Sequence, residues 1–247
     1  RRVLFRSNSG LSCTEYHNGV STPEVSVKKQ GGHLMVKIVR SFPAPVSLQE
    51  EAQKKGGSYE KNDVVEQLKK DFHNKCYICE MDKLQDPQVE HLLPHKNGKY
   101  LDRKFDWNNL FWACGHCNNV KNQNKYDEGI IDCCKTDPEE VISFQLENEN
   151  VHIFARDEKD KNSLLTAELV TEVFSLRNTS MRVYKSEMRF EALTEEMNKL
   201  YDSIEEFQNN PDSRVAKRKI KAQSPISLFI TQKTSLCKEK KKVQFLY

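Results

Sequence analysis

Cys76-Tyr77-Ile78-Cys79 and Cys114-Gly115-His116-Cys117 are two CxxC pairs, and the insert that they enclose organises this 247-residue chain. Two thiolates separated by two residues can bind a zinc ion from one turn of backbone, and two such pairs complete a tetrahedron. The insert, residues 80–113, is longer than an ordinary zinc-ribbon spacing, so it must fold into an element that returns its ends to one place. The spacing predicts a structural zinc ion bound by four cysteines; four buried cysteines without a ligand are the alternative. A site with no open position stabilises a fold and does not catalyse.

The eight cysteines of the chain have two possible explanations, disulfides or metal binding. No apolar export signal stands near the N-terminus, and four cysteines fall into two identical spacings, which favours zinc in a reducing compartment. No apolar run approaches the roughly 18 residues that a membrane span needs. We therefore expect a cytoplasmic protein that does not enter the membrane. The net charge is only +3, so any contact with nucleic acid must come from local basic patches.

The insert and the residues after it contain three short elements. Residues 89–94, Val-Glu-His-Leu-Leu-Pro, are typical of the end of a strand and place a carboxylate directly before a histidine. Residues 110–113, Leu-Phe-Trp-Ala, predict a buried second strand that enters the second cysteine pair. Asn118 and Lys121 follow three residues apart, so they lie on one face of a helix. The order strand, strand, helix is that of a ββα-metal nuclease site.

The whole block resembles the HNH endonucleases, whose signature has the form (D/E)H-x-x-P, then N-L, then CxxC-(H/N)-x-x-K. The resemblance implies an α+β fold with a ββα-metal core, and metal-dependent hydrolysis of DNA. Carried over residue by residue, it makes His91 the general base that activates water, while Asn109 orients the loop that holds it. Glu90 and Asn118 would bind one divalent cation, and Lys121 would face the phosphate backbone. RNA as the substrate stays open.

Two positions depart from the commoner form of the signature. Glu90 stands where Asp is more usual, so a longer side chain reaches toward the cation. Asn118 stands in place of His, and its amide oxygen is a harder ligand, which favours Mg²⁺ or Mn²⁺ over Zn²⁺. By the chemistry of the family, the products would carry 5′-phosphate and 3′-hydroxyl ends.

The other histidines and the two tryptophans have plainer expected roles. His95 follows a proline and is expected near the surface or behind the metal ligands, not as a ligand itself. His116 lies between two cysteines and is expected to face solvent. Trp107 and Trp112 are expected in the core, because large aromatic side chains are mostly buried.

The flanking sequence divides into four further parts. Residues 1–34 mix Ser, Gly, Asn and Thr, and the first seven resemble a translated sequencing adapter, so we expect a non-native or disordered leader that ends before a native Met35. Residues 35–58 form an extended segment. Between the flanking parts, residues 59–135 hold the nuclease domain, and its first element is a helix over 60–75 capped by Asn62 or Asp63. Residues 136–210 contain a β-hairpin around 147–150 and a mainly helical region. Residues 211–247 are a basic tail, either solvated or in contact with phosphates.

The helical region predicts two apolar stripes. One comprises Leu169, Val173 and Leu176, and the other comprises Leu193, Met197, Leu200 and Ile204. These helices either cover the nuclease core or bind a partner.

Three short flanking segments are similar to a bacterial group, the HNH proteins of Septu-type and retron-associated anti-phage operons (the PtuB type). They are the extended leader with Phe42-Pro43, the stretch Gly129-Ile130-Ile131-Asp132, and the predicted helix 171–178 with Arg182. That similarity implies a nuclease that acts with an ATPase encoded beside it in anti-phage defence. Two alternatives stay open: a zinc-stabilised module that binds nucleic acid without cleaving it, and a nuclease that acts alone as a toxin or homing enzyme. The delivery or DNA-reading modules usual in that last class are not visible in this sequence.

Overall fold

The protein is represented by a computed structural model that describes residues 35–82, 84–147, 150–175 and 180–222. The expected leader, residues 1–34, and the end of the basic tail lie outside the described residues. Within the described ranges the fold is α+β, with helices arranged around two small antiparallel sheets.

Within the described ranges the secondary structure consists of two strand pairs, eight α-helices and two short 3₁₀ turns, Trp107–Asn109 and Asn124–Tyr126. The first sheet pairs β1 (Pro87–His91) with β2 (Leu110–Cys114), and the second pairs β3 (Ile142–Glu147) with β4 (Asn150–Ala155). The helices are α1 (Val46–Ala52), α2 (Asn62–Asp71), α3 (Leu101–Lys104), α4 (Gly115–Lys121), α5 (Pro138–Val141), α6 (Lys161–Phe174), α7 (Ser180–Asn209) and α8 (Arg214–Ala222).

The order β1, β2, α4 agrees with the predicted strand, strand and helix. In the antiparallel register Glu90 lies opposite Phe111, and His91 lies opposite Leu110. Every residue of β2 is buried, as its continuous apolar run predicts, whereas only the last three residues of β1 are. The buried end of β1 therefore carries both Glu90 and His91 into the core.

Helix α2 packs against β2. The spacing of Val65, Leu68 and Phe72 predicts its apolar face, and in the structure Val65 is only half-buried whereas Val64 takes the buried position. Val64 and Leu68 are fully buried, and Phe72 directly after the helix is 1% exposed. The predicted cap is wrong, because Lys61 occupies the N-cap position and makes no side-chain cap. Asp63 accepts a hydrogen bond from the Ser47 hydroxyl at 2.6 Å, so its carboxylate links α2 to α1.

The segment 35–58 is not extended throughout, and this corrects the prediction. Helix α1 begins directly after Pro45, which holds the extended backbone of an N-cap residue. Its seven residues, about two turns, bury only Leu48 and Glu51, too few positions for a periodic signal. Before it, Ile38 donates a backbone hydrogen bond to Cys133, so this end of the chain packs against the segment between α4 and α5.

The hairpin forms as predicted, and helix α6 packs along its second strand. Leu169 and Val173 are buried on α6, and Met197 and Ile204 are buried on α7. Leu193 is half-buried. Leu176 and the side chain of Leu200, also assigned to these stripes, lie outside what the structure describes.

Both tryptophans are 3% exposed, as predicted for the core. Among the helices of the described ranges, none combines the length and apolar character needed to cross a membrane.

Candidate metal centre and histidine site

Four buried cysteines, Cys76, Cys79, Cys114 and Cys117, converge between β2, α4 and the turn before residue 82. Their sulfur atoms all lie within 4.8 Å of one another, and Cys79 Sγ is 4.0 Å from Cys114 Sγ. A zinc ion bound by thiolates at about 2.3 Å requires sulfur atoms roughly 3.8 Å apart at the corners of a tetrahedron. The donor set and its spacing therefore fit a metal such as zinc.

Backbone hydrogen bonds hold the two cysteine pairs in place. In the first pair, Tyr77 donates its N–H to the carbonyl of Trp112 on β2, and Cys76 donates to Met81. In the second pair, Cys114 is the N-cap residue of α4, and its sulfur accepts the N–H of Cys117 at 3.5 Å. These bonds attach the cysteine cluster directly to β2 and α4 of the β1–β2–α4 unit.

The thiols interact strongly with one another. Burial raises the pKa of Cys76 and Cys117 well above the usual range. Hydrogen bonds from Cys117, Cys76 and Cys79, with the nearby Arg189, hold the pKa of Cys114 far below it. A bound Zn²⁺ would ionise all four thiols, because the thiolate is the form that binds the metal.

Arg189 on α7 belongs to this centre, although no sequence pattern links it to the cysteines. Its Nη2 donates to Cys114 Sγ at 3.0 Å, and the residue is 8% exposed. The contact spans 75 positions of sequence, and no local motif marks it.

His116 is buried at 3% exposure, which corrects the prediction that it faces solvent. Its Nε2 lies 3.0 Å from the carbonyl of Val173, and a carbonyl can only accept, so the Nε2–H donates. The side chain joins the second cysteine pair to α6 because α6 packs on α4.

His91 ends β1 beside a small cluster of rings. Its Nε2 donates to the carbonyl of Lys104 at 3.0 Å, so the proton is on Nε2 and Nδ1 keeps a lone pair. Burial above all, and then the positive charges of His95, Lys121 and Lys104, lower the pKa of His91 to about 4. The ring is therefore neutral at pH 7 and has one nitrogen able to accept a proton.

His95 and Tyr59 flank His91. Ring centroids lie 4.7 Å apart for the two histidines and 4.5 Å apart for Tyr59 and His91, both edge to face. His95 Nδ1 accepts the N–H of Gly98 at 3.0 Å. His95 is half-buried, in agreement with its expected position near the surface.

Asn109 lies at the end of a short 3₁₀ turn just before β2 and is 6% exposed. Its Oδ1 accepts from the N–H of Leu93, and its Nδ2 donates to the carbonyls of Leu93 and Arg103, all at 2.8 to 2.9 Å. Asn109 therefore joins the loop after His91 to Arg103. The next residue, Lys104, has the carbonyl that accepts from the His91 ring.

Glu90 and Lys121 form an ion pair at 2.6 Å, with both side chains 5% exposed. The second carboxylate oxygen accepts from the Tyr77 hydroxyl at 2.7 Å, and Lys121 also donates to the carbonyls of His91 and Leu92 at 3.0 Å. The expectation that Lys121 faces a phosphate backbone is not met, because its amine is buried in this network.

Asn118 belongs to a different network. Its Nδ2 donates to Gln88 at 2.5 Å, beside a small polar pocket of about 160 Å³ that Asn119 and Asn122 help to line. Both oxygens of Glu90 are engaged elsewhere. Glu90 and Asn118 as arranged do not fit the expected pair of ligands for a divalent cation.

No family model, curated protein or solved structure matches this chain. The cysteine cluster and the histidine site are therefore the features of this chain that point to a function.

Proposed function

We propose that the chain is an HNH-type endonuclease that hydrolyses phosphodiester bonds of nucleic acid, with His91 as the general base. The observation that carries the proposal is the tautomer of His91. The Lys104 carbonyl fixes the proton on Nε2, so Nδ1 is free to accept one, and burial keeps the ring neutral. A neutral histidine held in one orientation is what general-base activation of water requires.

The proposed reaction is an in-line displacement at phosphorus. His91 Nδ1 takes one proton from a water molecule as the water oxygen forms a bond to phosphorus. The bond from phosphorus to the 3′ oxygen breaks, and that oxygen takes a proton from solvent. The HNH resemblance supports DNA as the substrate, and 5′-phosphate with 3′-hydroxyl ends as the products.

The four-cysteine centre would hold Zn²⁺ and would serve this reaction indirectly. Its first pair is bonded to β2 through Tyr77 and Trp112, and the Tyr77 hydroxyl also reaches Glu90 next to the base. A zinc ion bound there would keep β1 and β2 in register and so hold His91 in place. The resemblance also assigns Mg²⁺ or Mn²⁺ to the reaction. Because Glu90 and Asn118 as arranged do not fit as its ligands, the requirement for either ion is a question for the cleavage assay below.

A module that binds nucleic acid without cleaving it is the second candidate, and one observation favours it. Lys121 already neutralises Glu90, and the Asn118 amide is bonded to Gln88, so each residue assigned to the catalytic cation is engaged by a neighbouring side chain. Binding without cleavage in the presence of Mg²⁺ or Mn²⁺ would favour this candidate.

The test is nicking of supercoiled plasmid by the purified full-length chain with Mg²⁺, with Mn²⁺ and with EDTA. We expect His91→Ala to abolish nicking and to leave zinc content unchanged. His152→Ala is the matched control, because His152 is an exposed histidine on β4. Equal nicking by wild type and His91→Ala would overturn the role of His91. Inactive wild type that binds a labelled duplex would support the module.

We further propose, on the resemblance to anti-phage HNH proteins, that the helical part contacts an ATPase. Three large apolar side chains on one face of α7 support a contact there: Met181, Tyr184 and Met188 are 65%, 57% and 46% exposed. Co-purification with the product of a neighbouring ATPase gene tests the contact. Loss of co-purification in Tyr184→Glu and its retention in Lys199→Glu, an exposed position further along α7, is the expected result.

A further inference from the structure

Arg189 is a buried cation that points at the cysteine centre from a distant part of the chain. Its Nη2 donates to Cys114 Sγ at 3.0 Å, and its Nη1 donates to the carbonyl of Lys185 at 2.7 Å. Its Nε is buried and has no hydrogen-bond partner among the described residues. Within the described ranges, the sulfur of Cys114 is the acceptor outside α7 that this guanidinium contacts.

A buried guanidinium needs a negative partner. Arginine stays protonated in proteins, and an unpaired charge in the interior is costly. Four thiolates around a Zn²⁺ ion carry a net charge of about −2, which matches a guanidinium at hydrogen-bond distance.

A second contact joins the same helix to the same cysteine pair. The Val173 carbonyl, in the last turn of α6, accepts both from His116 Nε2 and from the Ser186 hydroxyl, each at 3.0 Å. The last carbonyls of a helix have no partner within it, so this one is free to accept from outside. Ser186 is fully buried and precedes Arg189 by three residues, so both lie on one face of α7.

We propose that Arg189 is the counter-ion of a metal–tetrathiolate centre, and that α7 docks on the β1–β2–α4 unit because that centre is loaded. The metal would thus hold two parts of the chain together: the two cysteine pairs directly, and the helical region through the charge on Arg189. The proposal needs a bound metal but not nuclease activity, so it stands or falls separately from the proposed cleavage.

Arg189→Met and Arg189→Lys separate charge from packing. Methionine keeps most of the apolar stem and removes the charge, whereas lysine keeps the charge without the planar guanidinium. Lys199→Met is the control: it removes one positive charge from the same helix, about 15 Å along its axis, at an exposed residue paired with Glu196.

The first measurement is the rate at which zinc passes from the full-length protein to a chromophoric chelator. Loss of an outer partner of a metal ligand typically weakens binding by about 10- to 100-fold. We expect zinc release at least ~10-fold faster from Arg189→Met, an intermediate rate from Arg189→Lys, and the wild-type rate from Lys199→Met. Wild-type release from Arg189→Met would overturn the counter-ion role.

The second measurement reports on the thiolate itself. In protein loaded with Co²⁺ alone, a hydrogen bond to a thiolate stabilises the sulfur electrons and raises the energy of the sulfur-to-cobalt charge-transfer band. Arg189→Met should move this band to lower energy, whereas a mutation that merely loosens packing elsewhere should leave it in place. An unmoved band would contradict the contact between Arg189 and the bound thiolate.

The third measurement needs no variant at Arg189, and so covers the case in which those variants fail to fold. Hydrogen exchange of the backbone amides in residues 183–194 is compared in zinc-loaded and chelator-treated wild-type protein, with the amides of β3 and β4 as the internal reference. We expect exchange in 183–194 to accelerate on metal removal far more than in the hairpin. Equal protection with and without metal would overturn the proposed docking.

Discussion

The Lys121 ammonium lies 2.6 Å from Oε1 of Glu90, and neither side chain is more than 5% exposed. Each partner is fully bonded, because Glu90 also accepts from Tyr77 and Lys121 also donates to two main-chain carbonyls. The pair ties α4 to the end of β1, immediately before His91. Removing one charge of such a pair costs far more than the pair itself contributes, since the other charge stays buried without a partner.

Lys121→Met is therefore expected to lower the free energy of unfolding by about 3–5 kcal/mol. Adding Glu90→Gln removes the unpaired charge, so the double variant should be more stable than Lys121→Met alone. Urea unfolding of wild type, both single variants and the double variant measures the coupling. Additive effects of the two substitutions would contradict a direct ion pair.

The pH dependence of cleavage should reflect the buried state of His91. Its pKa is lowered to about 4, first by burial and then by neighbouring positive charges, and the base acts only when neutral. We expect kcat/KM to fall on the acid side near pH 4, whereas an unperturbed histidine would give a limb near about 6.5. Plasmid nicking rates at subsaturating substrate, measured across that range, locate the limb.

The lowered pKa of His91 also predicts how the free energy of unfolding changes with pH. An unfolded chain protonates its histidine below about pH 6.5, whereas the folded chain does so only near 4. More protons bind to the unfolded state between those values, so the stability contributed by His91 falls as the pH falls through this window. His91→Gln should flatten that part of the curve, and His152→Gln should not. Identical slopes for wild type and His91→Gln would refute the lowered pKa.

Removal of the metal should unfold the β1–β2–α4 unit. Cys114→Ser is expected to lose zinc and to abolish cooperative thermal unfolding, because structural zinc typically contributes about 10–16 kcal/mol of apparent binding free energy. Cys134→Ser is the control, since Cys134 lies outside the four-cysteine cluster. Zinc content by atomic emission and thermal melts with and without chelator make the comparison. Retention of one zinc per chain by Cys114→Ser would refute a four-thiolate site.

Much of this architecture could be predicted from local sequence. The spacing of two CxxC pairs identifies the cysteine cluster, the apolar run before Cys114 gives a buried strand, and alternation gives the hairpin. Each of these signals arises within a few residues, because ligand geometry, strand burial and turn formation are local requirements.

The contacts between elements could not be predicted in the same way. Arg189 contacts a cysteine 75 positions away, and the burial of His116 depends on where α6 packs. Lys121 is three residues from Asn118, which suggests a shared role on one helix face. In the structure Lys121 reaches Glu90 whereas Asn118 reaches Gln88, two residues earlier on β1. The register of α4 along β1 decides this difference, and no local pattern encodes that register.

Asn109 offers the sharpest test of how the histidine site is built. Its Nδ2 donates to the carbonyl of Arg103, and the next carbonyl, that of Lys104, accepts the Nε2–H of His91. Asn109→Ala should therefore release the acceptor that fixes the His91 tautomer and leave three partly buried backbone groups without their partner. We expect kcat to fall by about 10- to 100-fold, because small misplacements of a catalytic group are that costly. KM should change little, since Asn109 is buried and does not reach solvent.

Asn108→Ala is the matched control for this effect. Asn108 is the exposed neighbour, and its amide contacts only Asp106 among the described residues. It should therefore cleave like wild type. Asn109→Asp separates the two halves of the amide: it keeps the oxygen that accepts from Leu93, but it faces the carbonyls of Leu93 and Arg103 with a negative charge. Because a carboxylate repels those carbonyls, Asn109→Asp should be slower than Asn109→Ala. An aspartate variant as active as wild type would mean that Asn109 caps the turn before β2 and has no part in orienting His91.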